Sequence, residues 1–151
     1  MDKTKLILGF PGVGKSYFAV NNKNYKIIDL DASTFPKDNF PDNYIKSILN
    51  NIGKVDIIFI STYDVIRKAL KKCDIFTNTN VDKVYLVYPS IELKGEYIKR
   101  YNNRGNNKQF INTLNTMFEN WVNELKNEDK SFIKIELINE YDNITTIFNK
   151  L

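Results

Sequence analysis

Gly9-Phe10-Pro11-Gly12-Val13-Gly14-Lys15-Ser16, GFPGVGKS in one-letter code, is the stretch on which the reading of this chain turns. It matches G-x-x-x-x-G-K-[ST] at every fixed position. The apolar run Lys5-Leu6-Ile7-Leu8 leads into it, and Tyr17-Phe18-Ala19-Val20 can continue out of it as a helix. A strand, a glycine-rich loop and a helix in that order form an anion cradle. Successive backbone N–H groups share one concavity, and the positive end of the helix dipole adds to their field. Gly9, Gly12 and Gly14 allow the backbone angles and the close approach, and they are half of the 6 glycines in the chain. In such a cradle Lys15 reaches the β- and γ-phosphates of a nucleoside triphosphate, and the Ser16 hydroxyl sits on Mg²⁺. An ordinary glycine-rich turn with a chance lysine is the alternative. Average residue usage puts that accident at fewer than roughly one chain in a hundred of this length.

The composition narrows the class. A chain of 151 residues is expected to form one domain with a real core and no second one. No apolar run approaches the ~18 residues needed to span a bilayer. The first strand begins almost at once, so no signal or transit segment is expected. One cysteine, Cys73, excludes an internal disulfide and a multi-cysteine zinc site, and fits a reducing cytoplasm. The net charge of +4 is spread along the chain. It suits small anionic ligands and is too dispersed to argue for nucleic-acid binding. With no histidine, any general base must be a carboxylate. The arginines are Arg67, Arg100 and Arg104, and the last two lie within five residues of each other. Such planar, forked cations are natural clamps for phosphate charge.

Apolar runs predict strands near 5–8, 26–30, 55–61, 83–88 and 132–138. Helices fit between and after them, near 15–21, 42–51, 63–72, 91–102, 108–126 and 140–149. The continuous apolar run from Val55 to Ile60, broken only by Asp56, is typical of parallel strands covered on both faces. Strand and helix alternation predicts an α/β fold with a mainly parallel five-stranded sheet and right-handed crossovers. Ligands of such sheets bind beyond the carboxyl ends of the strands.

Those ends carry the remaining candidates. The second strand ends Asp29-Leu30-Asp31-Ala32-Ser33, with two carboxylates at i and i+2 on one side. One can organise Mg²⁺ while the other orients or deprotonates an acceptor hydroxyl; a solvated turn is the alternative. The third strand ends Ser61-Thr62, whose hydroxyls either bond a ligand or cap the next helix, and capping is the expected use. Asp56, at the opposite end, is read as structural. Arg67 either reaches an acceptor's anionic group or is a solvated surface residue. The segment 94–108 brings Arg100 and Arg104 into a polar loop ending at Gly105. It reads as a short mobile lid whose cations close over a transferring phosphoryl group, or as an amphipathic surface helix with a basic end. Phe110, Ile111, Leu114, Phe118, Trp121 and Val122 recur at helical spacing and predict a helix packed on the sheet rather than a base-stacking platform. Cys73 is expected to be a small core or boundary residue.

On GFPGVGKS, the Asp29-Leu30-Asp31 strand end and the arginine pair, nearly the whole chain resembles the adenylate-kinase-like superfamily of small P-loop kinases. That superfamily includes nucleotide, shikimate and gluconate kinases, and the likeness is strongest to small nucleotide kinases encoded by bacteriophages and other viruses. The resemblance implies a three-layer α/β/α P-loop NTPase fold and an ATP- and Mg²⁺-dependent phosphotransferase. ATP would be held by Gly9, Gly12, Val13, Gly14, Lys15, Ser16 and Tyr17, with Ser16 and Asp29 on the metal and Asp31 beside the acceptor hydroxyl. Arg100 would lie along the adenine or the phosphates, Arg104 would contact phosphates, and the turn 139–143, including Asn143, would bracket adenine. The implied acceptor is a nucleoside monophosphate or a nucleoside, the setting the cytoplasm (the host cell's, if virus-encoded), with no membrane and no nucleic acid as partner. Two departures bear on the acceptor. No arginine occurs between Ala32 and Gly53, only Lys37 and Lys46, and the lid is short and lacks zinc-binding cysteines. A hydroxyl acceptor such as a metabolite or nucleic-acid end therefore stays open, as does an ATP-binding regulatory protein without turnover. No N-K-x-D guanine-reading element is present, which disfavours a GTPase.

Overall fold

In the computed structural model, which describes residues 3–151, Leu6, Ile7 and Leu8 are completely buried, so the first strand has apolar neighbours on both faces. That strand, β1 (Thr4–Gly9), is accordingly the centre of the sheet. It is followed in chain order by β2 (Ile27–Asp29), β3 (Ile57–Ile60), β4 (Val81–Pro89) and β5 (Ile133–Leu137). All pairings are parallel, and the spatial order is β2-β3-β1-β4-β5. Register is fixed by aliphatic rows across the sheet, with Leu6 opposite Ile58 and Val84, and Leu8 opposite Ile60 and Leu86.

Six α-helices occur among the described residues: α1 (Lys15–Asn21), α2 (Asp42–Asn51), α3 (Asp64–Lys71), α4 (Lys94–Asn103), α5 (Lys108–Lys126) and α6 (Ile144–Ile147). They cover both faces of the sheet, consistent with three layers. On one face Phe18 of α1 packs at a tilt against Phe148, just past α6, at 4.5 Å and meets Phe59 of β3 edge-on at 6.0 Å. On the other, α2 packs on α3, α3 is tied to α5, and Phe118 of α5 meets Phe10 edge-on at 5.4 Å. The apolar stripe of α5 does pack on the sheet, with Leu114, Phe118, Val122 and Leu125 buried. No described helix is long and apolar enough to cross a membrane.

The expected element order holds, with boundary shifts that have local causes. β4 begins two residues early because Val81 pairs with Thr4. The segment 91–93 is a 3-10 turn, capped by Ser90, so α4 starts at Lys94. The helix expected over 140–149 is instead the single turn α6. Asn143 caps it, accepting from Thr146 N–H while the Thr146 hydroxyl accepts from Asn143 N–H, so 139–142 stay outside the helix. Asp56 is structural as expected, accepting a 2.7 Å hydrogen bond from Lys26 N–H.

Candidate functional site

Between β1 and α1 the chain is anchored from below. Phe10 and Val13 are buried, Phe10 N–H donates to Val87 O, and Val13 O accepts from Ile144 N–H. Above these anchors the backbone is left-handed at Gly12 (φ 93°) and Gly14 (φ 95°), a region that side chains enter only with strain. Space is short as well: a Cβ at Gly12 would lie 3.1 Å from both the Tyr97 and Tyr101 rings. Gly9 is required for a different reason, since a Cβ there would meet the Lys15 side chain at 2.9 Å. Lys15 folds back along the loop and its ammonium donates to Gly9 O. The outcome is a loop whose N–H groups at Gly12, Gly14, Lys15 and Ser16 have no acceptor among the described residues. Unused donors this close together invite an anion.

This loop is the floor of a cleft of about 700 Å³ at the carboxyl edge of the sheet. Gly12, Gly14, Lys15, Ser16, Tyr17, Asp29, Asp31, Arg100 and Arg104, nine of the residues singled out from sequence, all line it. Gly9 and Val13 lie beneath it as supports. Asn143 caps α6, and its Cβ lies 3.4 Å from where a Gly14 Cβ would be, so it buttresses the loop and does not line the cleft. The Ser16 hydroxyl donates to Asp29 Oδ2 at 2.8 Å. Asp31 caps the turn that follows β2, its Oδ1 accepting from both Ser33 N–H (2.9 Å) and Ser33 Oγ (2.7 Å). Burial pulls the Lys15 ammonium down to about 8. Nearby Asp29 and Asp31 oppose that shift, and Arg104 adds to it.

The two clustered arginines are used differently. Arg100, on α4, is a strut. It donates to Gly12 O at 2.9 Å and Glu140 O at 2.6 Å, and its guanidinium lies 4.4 Å from the centre of the Tyr97 ring. It thereby ties the glycine-rich loop to the turn after β5. Arg104 is exposed and bonds only the Asn106 side chain, 5.4 Å above Tyr101. The helix between them is no free flap. Tyr97 and Tyr101 are fully buried against the loop, and Tyr101 Oη donates to Pro11 O at 2.7 Å. The segment 94–108 expected as a lid therefore divides: α4 is anchored by its buried tyrosines, and the polar link between α4 and α5 is largely exposed.

Two further expectations fail. Arg67 neither reaches the cleft nor lies in solvent. It is 6% exposed, donates to Thr62 O at 2.8 Å, and pairs with Glu128 at 2.5 Å and Glu124 at 3.7 Å. Burial alone would raise the Glu128 carboxyl, but Lys71, the Asp129 N–H and Arg67 together hold it below the ordinary carboxylate range. Ser61 and Thr62 do not cap α3. The cap position falls on Tyr63, which makes no side-chain cap bond, while Ser61 lines the cleft.

Tyr44 was not singled out from sequence. It is fully buried on α2, its hydroxyl donating to Leu30 O (2.8 Å) and accepting from Ser61 N–H (3.0 Å). It thus pins the ends of β2 and β3 and sets where Asp29, Asp31 and Ser61 stand. Tyr63, Asn107 and Phe110 also line the cleft without having been expected there. The tyrosines four apart at 97 and 101 were a readable signal; Tyr44 offered none. Among the described residues no group of three or more His, Cys, Asp or Glu could cage a metal. A metal held here would rely on the Ser16–Asp29 oxygen pair, its other ligands coming from substrate and water, which is how Mg²⁺ is usually bound. No protein-family model matches this chain, and no curated protein matches it either.

Proposed function

We propose that the protein is a P-loop phosphotransferase that moves the γ-phosphoryl group of ATP to a small acceptor of the nucleoside or nucleoside monophosphate kind. The observation that carries this reading is the floor of the cleft. Unbonded N–H groups of Gly12, Gly14, Lys15 and Ser16 stand beside the Lys15 ammonium and the Ser16–Asp29 pair in one cavity. A triphosphate satisfies the donors, returns full charge to Lys15 and brings the remaining ligands for Mg²⁺. Ser16 and Asp29 would hold Mg²⁺, which would supply charge neutralisation on the phosphates.

The rest of the mechanism is positioning, because phosphoryl transfer asks for little covalent help. Lys15 releases Gly9 O and turns to the β- and γ-phosphates. Arg104, free to move on its polar link, approaches the transferring group, and Arg100 holds the loop against the turn after β5. That turn exposes Ile138 (72%) and Tyr141 (76%) on either side of Glu140, whose carbonyl Arg100 holds, an apolar ledge suited to a nucleobase. Asp31 orients the acceptor from the far wall.

Calorimetric titration with ATP and Mg²⁺ tests the reading. The parent should bind ATP, and Lys15→Ala should weaken binding by roughly a hundredfold, from the loss of charge-assisted bonds to two phosphates. Equal binding by the variant, or no binding by the parent, refutes it.

A further inference from the structure

The charges of the cleft are divided between its two ends. Among the described residues, Lys15, Arg100 and Arg104 are its only cationic lining residues, and all three belong to the glycine-rich loop and the α4 end. The facing wall, built from the ends of β2 and β3, carries Asp31, Ser33, Ser61 and Tyr63, a carboxylate among hydroxyls, while Asp29 turns to Ser16 of the loop. Among the described residues, no lysine or arginine side chain belongs to that wall. Arg67 is buried in its pairs with Glu128 and Glu124, and Lys37 and Lys46 are exposed residues that do not line the cleft. A phosphomonoester arriving there would bring close to two negative charges. It would meet Asp31 with only the neutral hydroxyls of Ser61 and Tyr63 to offset the repulsion and the lost hydration. Asp31 itself is set up for a different ligand: Ser33 occupies Oδ1 twice over, leaving Oδ2 for a hydroxyl donor.

A second pocket of about 410 Å³ adjoins the cleft and shares Pro11, Tyr63, Asn107 and Phe110 with it. It continues to Leu114 and Trp121, and Gln109 and Thr113 supply an amide and a hydroxyl to its lining. An aromatic slot with amide groups to pair a polar edge takes a flat heterocycle.

From these observations we infer that the acceptor is an uncharged nucleoside, not a nucleotide, with its base in the Tyr63–Phe110–Trp121 slot and its hydroxyl on Asp31. The inference rests on the reading of the cleft as an ATP site and names the acceptor class within it. In the step, the nucleoside hydroxyl oxygen forms a bond to the γ-phosphorus as the bond from that phosphorus to the β–γ bridging oxygen breaks. ADP leaves with the electron pair. The hydroxyl proton passes to Asp31 Oδ2 and then to water, so ATP and nucleoside give ADP, nucleoside monophosphate and a proton.

Trp121 is the only tryptophan in the chain and lines the slot, so its fluorescence reports occupancy directly. The protein is first titrated by calorimetry with a non-hydrolysable ATP analogue and Mg²⁺. It is then titrated, with the analogue saturating, with the common ribo- and deoxynucleosides and their 5′-monophosphates. At least one nucleoside should shift Trp121 emission and bind roughly tenfold or more tightly than its own monophosphate, the penalty expected of an added charge facing Asp31. Asp31→Asn should narrow that ratio to about threefold or less. With ATP itself, the same nucleoside should be converted to its monophosphate. A monophosphate that binds more tightly than its nucleoside, or a Trp121 signal that no nucleoside moves, overturns the inference while leaving ATP binding intact. Failure of the analogue to bind removes the underlying reading, and this one with it.

Discussion

Lys15 should make the ligand-free protein more stable as the solution becomes alkaline, against the usual trend for lysine. Its ammonium is held at about 8 in the folded chain, against an ordinary value of 10.5, because burial disfavours the charged form more than Asp29 and Asp31 favour it. Below about pH 8 both states carry the proton, and the folded state bears the full penalty of the enclosed charge. Between the folded and unfolded values the folded protein has released its proton while the unfolded chain still holds one. Stability therefore rises with pH through that window. The shift from 10.5 to about 8 corresponds to about 3 kcal/mol in full. About 2 kcal/mol of it should be realised between about pH 7 and 9.5. The tyrosines limit the climb. Burial pushes Tyr44 and Tyr97 up to about 12 and Tyr101 higher still, so above about pH 10 the unfolded chain ionises its tyrosines first and stability falls. Urea unfolding at a series of pH values, with chelator present, compares the parent with Lys15→Met. Both proteins share the tyrosine contribution, so the difference between their curves isolates Lys15 and should grow by about 2 kcal/mol across that range. Parallel curves would refute the claim that enclosure of this ammonium is a strain which a triphosphate relieves.

Two other outcomes follow from the geometry. Arg67→Met should cost about 3 kcal/mol in the same unfolding assay. That is the lower end for breaking a buried pair, because Lys71 still faces Glu128 at 2.6 Å, and ATP affinity should be unchanged. A loss under about 1 kcal/mol would contradict the structural role given to Arg67. The tyrosines of α4 should part ways. The buried Tyr97 hydroxyl has no hydrogen-bond partner among the described residues, so Tyr97→Phe should leave stability unchanged or raise it by about 1 kcal/mol. Tyr101→Phe removes the bond to Pro11 O and should cost about 1 kcal/mol, and the opposite ranking would show that the two hydroxyls have been misassigned.

What could be read from the sequence was local. GFPGVGKS, the apolar run before it and the two aspartates at the end of the second strand lie where strand periodicity and turn chemistry place them, and the loop and both aspartates meet in one cleft. The start of α6 was also within reach, because Asn143 and Thr146 have capping-box spacing, yet Glu140 and Tyr141 are compatible with a helix and drew the boundary too early. Arg67 was not within reach. Its partner Glu128 lies 61 positions away, and charge without pairing cannot tell a buried strut from a ligand clamp. Tyr44 escaped for the same reason, since its hydroxyl bridges two strand ends that only the folded sheet brings together.

These long-range contacts bear on function because they decide which charges the cleft can use. A chain with three arginines has few ways to bind two highly charged phosphate groups at once. With Arg67 committed to Glu128 and Arg100 holding two backbone carbonyls, Arg104 and Lys15 are the cations left to answer incoming charge, and both stand at the loop end. If a triphosphate takes that end, the other has only Asp31 and hydroxyls to offer, and its second substrate must arrive without phosphate. Placing an arginine there, as Ser33→Arg, should therefore shift preference toward the monophosphate. A variant that kept the parent's discrimination would show that repulsion from Asp31 is not what selects the acceptor.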